Sequence, residues 1–90
     1  MLIIHISSRF RRSFRQVPVR VQTDFETSIE KFQQEPFHPS LRTHKLSGGL
    51  ANHYSFYLRD GYRVLFTFMQ ENVILLVNIG SHDEYKRWAQ

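Results

Sequence analysis

Ninety residues, 41% of them hydrophobic and 14% aromatic, suffice for one domain with a modest core and not for two. The chain has no cysteine, which excludes disulfide staples and thiolate zinc sites and fits a reducing, cytoplasmic setting. Twelve Lys and Arg against eight Asp and Glu leave a formal charge of +4, a surplus that favours anionic partners, nucleic acid foremost.

The opening MLIIHI is too short for a secretory core, and no run approaches the roughly 20 apolar residues of a membrane span, so no membrane partner is expected. LIIHI is β-branched and reads as a strand. Ser7 or Ser8 then caps a helix in which Phe10, Phe14 and Val17 share a face. Arg9, Arg11, Arg12, Arg15 and Arg20 all precede the first acidic residue, giving a basic helix that suits nucleic acid or an acidic protein segment. Pro18 breaks this helix and can open a second as its first residue, with Val21, Phe25, Ile29 and Phe32 as the apolar stripe. Two prolines in EPFHPS stop the pattern and make a loop.

From His53 the period becomes two, and the turn at Arg59-Asp60-Gly61 decides the pairing. A two-residue turn at Asp60-Gly61 would oppose Leu58 to Arg63 and scatter the apolar residues over both faces. A three-residue loop with Gly61 left-handed opposes Leu58 to Tyr62. It gathers Tyr54, Phe56, Leu58, Tyr62, Val64, Phe66 and Phe68 on the helix-covered side. His53, Ser55, Tyr57, Arg63, Leu65 and Thr67 then lie on the other, uncovered face. NVILLVNIG is nearly continuous in apolar residues, as expected of an interior strand covered on both sides, and Ser81 with Glu84 forms a capping box for a short last helix. The expectation is a single α+β domain over residues 1–90: an N-terminal strand and helical hairpin packed on a mostly antiparallel four-stranded sheet, then a short C-terminal helix.

His44 and Lys45 enter the first strand of the meander, Arg63 opens the next, and His82 stands past the end of the last. Such a set can cleave a phosphodiester. One group takes the proton of a ribose 2′-hydroxyl, another protonates the leaving 5′-oxygen, and a fixed cation offsets charge on the phosphorane. Histidine suits the proton transfers, and arginine's planar fork matches phosphate oxygens. Each residue alone has an ordinary reading: a solvated loop histidine for His44, a cross-strand cation–π partner of Tyr57 for Arg63, a helix-start residue for His82. His5, His38 and His53 keep that reading. No HExxH spacing, nucleophile elbow or phosphate-binding glycine loop is present, and no metal or cofactor is expected.

The segments HPSLRTHKLSGGL, HYSFYLRDGYRVLF and VNIGSHDEY together resemble the RelE/ParE superfamily of toxins from bacterial type II toxin–antitoxin pairs, especially its RelE, YoeB and YafQ branches. The resemblance runs from the first strand to about Tyr85. It implies a RelE-like fold and a metal-independent endoribonuclease that cleaves mRNA, commonly in the ribosomal A site, and that a cognate antitoxin neutralises. It assigns His44 to the general base, Arg63 to the transition-state arginine and His82 to the general acid, with Lys45 in a supporting phosphate contact. Ser55 and Tyr57 stand where RelE itself carries lysines, so a two-histidine mechanism is implied, with these two residues facing substrate. Tyr85 or Trp88 is the terminal aromatic that stacks on a base. The competing expectations are a ParE-like inhibitor of DNA gyrase, a branch that lacks the histidine set, and an inactive binding module of the same fold.

Overall fold

Ser7 ends strand β1 (Ile3–Ile6) and begins helix α1 (Ser8–Phe14) in the computed structural model, which describes residues 1–88. Its hydroxyl accepts the Phe10 N–H at 3.0 Å and donates to the Val77 carbonyl at 2.9 Å, so one side chain caps the helix and ties it to the far end of the chain. Phe10 and, beyond the helix, Val17 are buried. Pro18 was expected as the first residue of the second helix but sits one position outside it. Its carbonyl takes the N–H groups of Val21 and Gln22, and α2 runs Val19–Gln34. Val21, Phe25 and Phe32 are buried along α2, and Ile29 packs beside them.

The sheet has five strands in the order β1-β5-β4-β3-β2, adding β2 (His44–Lys45), β3 (Tyr54–Tyr57), β4 (Arg63–Gln70) and β5 (Val73–Gly80). β1 pairs with β5 in parallel and the other pairs are antiparallel. Four strands were expected. The fifth, β2, is two residues long and carries no periodicity of its own, but it positions His44. The Thr43 hydroxyl anchors its start on the Pro36 carbonyl at 2.6 Å, and the Leu46 N–H continues the pairing onto His53.

The β3–β4 turn takes the three-residue form. The Leu58 N–H reaches the Tyr62 carbonyl at 2.7 Å, and both Asp60 (φ 60°) and Gly61 (φ 78°) are left-handed, where only the glycine was expected to be. Side chains from α2 hold the turn: Arg20 Nε donates to Asp60 Oδ2 at 2.6 Å, and Asp24 Oδ2 accepts the Arg59 N–H at 2.8 Å. The resulting register pairs Phe56 with Val64 and Tyr57 with Arg63. Phe56, Leu58, Val64 and Phe66 accordingly join Ile74, Leu76 and Ile79 in the core beneath the helices, with Tyr54, Tyr62 and Phe68 at its edge.

The second face is less bare than expected. Ser55 is fully buried and Leu65 is 3% exposed, while Leu75, in the same sheet face near its lower end, is only half-buried. Leu50 is buried in the 3-10 turn Gly48–Leu50, and α3 (His82–Trp88) folds back over the end of β5. The capping box forms as expected: the Ser81 N–H donates to Glu84 Oε1 at 2.8 Å and the Glu84 N–H to Ser81 Oγ at 3.3 Å. Gly80 makes the close approach possible, since a methyl group there would lie 2.9 Å from Trp88 Cζ2 and 3.0 Å from Glu84 Oε1.

Candidate active site

Directly paired residues of antiparallel strands project to the same side of a sheet. Two rows therefore cross the second face. His44, Ser55, Leu65 and Asn78 form one; Tyr57, Arg63 and Gly80 form the next. The first row puts an imidazole at the sheet edge and closes behind it with buried groups. The second puts a guanidinium mid-sheet, where α3 brings His82 and Tyr85 down upon it.

Arg63 is the hub. Its guanidinium carbon lies 4.4 Å from the centroid of the Tyr57 ring and 4.5 Å from that of Tyr85, and its Nη2 is 2.8 Å from His82 Nδ1. Each cation–π contact contributes about 0.5–1 kcal/mol at a partly exposed position. The Nε–H is buried with no hydrogen-bond partner among the described residues, which costs about 1–3 kcal/mol. The side chain is thus held by aromatic faces and one imidazole while retaining unused donor capacity.

The hydrogen-bond partners orient each imidazole. A backbone carbonyl only accepts, and the Arg42 carbonyl lies 3.1 Å from His44 Nδ1, so Nδ1 is the donor and Nε2 is the nitrogen left unengaged. A guanidinium only donates, so His82 Nδ1 is the lone-pair nitrogen and its proton is on Nε2. Both imidazoles are thus anchored through Nδ1, and these contacts leave each Nε2 unengaged.

Of the residues singled out from sequence, Tyr57, His82 and Tyr85 each contact Arg63. His44 reaches them through Tyr57, with ring centroids 5.6 Å apart. Lys45 joins His44, Tyr85 and Lys86 around a groove of about 390 Å³ at the rim. Ser55 does not reach the surface: its hydroxyl is buried with no partner among the described residues, paired in the sheet beside His44, so the expected contact with substrate is not available to it. Trp88 packs with its ring against Tyr85 and toward Gly80, which leaves Tyr85 as the aromatic over Arg63.

No family model matches the sequence, and no curated protein does. Solved structures do match. YafQ from E. coli strain BL21(DE3) superposes with a TM-score of 0.78 at 9% identity, covering 94% of this chain and 98% of its own. The YoeB/ParE toxin from Agrobacterium tumefaciens gives 0.75 at 12% identity over 90% of this chain and 99% of its own, and a chain of the intact E. coli RelBE toxin–antitoxin complex gives 0.70 at 19% over 90% and 96%. The fold is that of the RelE/ParE-superfamily toxins. At these identities the likeness is one of architecture, and the site rests on this chain's own residues.

Within the RelE-like fold one residue at the site escaped sequence reading. Arg42 has its guanidinium carbon 4.1 Å from the Tyr57 centroid, and its carbonyl orients His44. No periodicity signals it, because its backbone is left-handed (φ 52°) and lies outside the strand. No helix among the described residues is long and apolar enough to cross a membrane.

Proposed function

We propose that this protein is the toxin of a type II toxin–antitoxin pair and a metal-independent endoribonuclease that cleaves mRNA, acting on the ribosome. The observation that carries the reading is Arg63 between two tyrosine rings, 2.8 Å from one histidine and one ring away from a second histidine whose free nitrogen is Nε2. His44 Nε2 takes the 2′-hydroxyl proton as that oxygen attacks the adjacent phosphorus. Arg63 neutralises the charge gathering on the phosphorane. The 5′-oxygen leaves with a proton from His82, and the products are a 2′,3′-cyclic phosphate and a 5′-hydroxyl. Tyr85 stacks on a base beside the scissile bond, Tyr57 braces Arg63, and Lys45 contributes positive charge at the groove.

A phosphate that draws the Arg63 N–H groups to itself frees His82 Nδ1 from its resting contact with Nη2.

A cognate antitoxin is the partner this reading requires, and the architecture shared with a RelBE toxin–antitoxin chain supports it. An acidic amphipathic segment suits the groove of about 380 Å³ where Phe10, Phe14 and Phe25 meet Arg11 and Arg15.

Primer extension on mRNA in ribosome complexes, beside a gyrase supercoiling assay, tests the assignment. Discrete cleavage sites that lose about 10²–10⁴-fold in rate in H82A, with supercoiling untouched, are expected. Inhibited supercoiling with intact mRNA is the result that replaces the nuclease by a ParE-like inhibitor.

A further inference from the structure

Arg42 leads away from the catalytic cluster into a second basic groove. This groove, about 330 Å³, lies between α2 and the 3-10 turn Pro39–Leu41, and Lys31, Ser40, Arg42, Arg59, Tyr57 and Asp24 line it. Three cations face one carboxylate there, and that carboxylate is already engaged by the Arg59 N–H. Lys31 Nζ donates to Ser40 Oγ at 3.2 Å, which holds a hydroxyl and an ammonium together at the wall.

Tyr57 joins this groove to the site. Arg42 and Arg63 lie 4.1 Å and 4.4 Å from the same ring centroid, so one ring links the two guanidinium groups and successive phosphates of a flexible single strand can reach both. Arg42 has left-handed backbone (φ 52°, ψ 38°), a conformation that a residue with a β-carbon adopts at a cost. That one conformation aims the carbonyl at His44 and lays the guanidinium on Tyr57.

We propose that Arg42, with Lys31 and Arg59, forms a phosphate subsite for the nucleotide immediately upstream of the scissile bond. The direction rests on the assignment of His44 as base. The nucleotide carrying the attacking 2′-hydroxyl lies on the His44 side, and its own 5′-phosphate then falls toward Arg42. A guanidinium stacked on an aromatic ring keeps its N–H edges free, the arrangement that receives phosphate oxygens in pairs.

The test uses two dinucleotides with a 2′-deoxy sugar at the attacking position, which cannot be cleaved, one bearing a 5′-phosphate and the other a 5′-hydroxyl. NMR titration of the wild-type protein is expected to show about tenfold tighter binding of the phosphorylated form, as one charge-assisted contact allows. Arg42→Asn tolerates the left-handed backbone and keeps the carbonyl to His44. It removes the preference, while Arg42→Lys restores part of it. On a longer uncleavable strand R42N lowers the salt slope by about 0.7, the value for one phosphate of single-stranded nucleic acid. In cleavage assays it raises KM more than it lowers kcat.

Wild-type protein that binds the two dinucleotides alike, or binds neither, overturns the subsite, as does a preference that survives in R42N. R42N that binds nucleotides normally but loses an acidic peptide assigns the groove to a protein partner instead. Failure of the nuclease assignment is separate: a 5′-phosphate preference that depends on Arg42 in a protein that cuts no RNA keeps the subsite and removes the catalysis.

Discussion

Replacing Arg63 with methionine separates what the arginine does for the fold from what it does for chemistry. R63M keeps an unbranched side chain of similar reach between the Tyr57 and Tyr85 rings but removes every N–H. Two cation–π contacts disappear, each worth about 0.5–1 kcal/mol, although a thioether against an aromatic ring returns about 0.3–1.5 kcal/mol. The hydrogen bond to the exposed His82 ring disappears as well, worth about 0.5–1.5 kcal/mol. Against these stands the removal of a buried, unpartnered Nε–H, which relieves about 1–3 kcal/mol. The contributions cancel to within about 1–2 kcal/mol, so R63M unfolds in urea close to the wild-type midpoint.

Nothing offsets the loss in the transition state. Deleting one fixed donor aimed at developing charge lowers kcat by about 10²–10³-fold, and single-turnover cleavage of mRNA on ribosomes reads that loss directly. A side chain that mattered chiefly to packing would give the opposite pattern. R63M that is more than about 3 kcal/mol less stable makes Arg63 a structural pin, and folded R63M that cleaves at the wild-type rate removes it from the mechanism.

Three further outcomes follow from the same geometry. H44A and H82A, both folded, are each expected to lower single-turnover cleavage by about 10²–10⁴-fold, and a wild-type rate in either variant contradicts its role. Gly80→Ala drives a methyl into Trp88 and Glu84 and displaces α3, costing about 1–3 kcal/mol and shifting the emission of the single tryptophan, with cleavage lost because His82 and Tyr85 move with the helix. Ser55→Ala removes a buried hydroxyl that has no partner and is expected to be neutral or stabilising by about 1 kcal/mol with cleavage intact; a large fall in rate would return Ser55 to the substrate contacts.

The parts of this molecule that were legible in its sequence are those where one local rule has no competitor. The capping box at Ser81 and Glu84 and the serine cap of α1 depend on residue type at a fixed spacing. The β3–β4 register was legible because one slip reverses every side chain, leaving a single turn length that buries Phe56, Val64 and Phe66 together. Pro18 was misplaced by one residue because the same ring geometry serves inside the first turn and at the position before it.

What escaped lies where two segments far apart in sequence meet. The second face was expected to be open because alternation along β3 and β4 says only which residues share a side. It does not say that Ser55 and Leu65 will be buried or that α3 will fold back on β5. Arg42 is the instructive case. Its side chain was invisible to strand periodicity because its own backbone is left-handed, and no pattern of apolar residues marks such a turn. Yet that departure anchors His44 through one carbonyl and puts a second guanidinium on Tyr57. The residue types of the candidate site were therefore readable as a list, whereas the anchoring of His44 depends on a single backbone turn: with Arg42 in the extended region, His44 Nδ1 would lose its carbonyl partner.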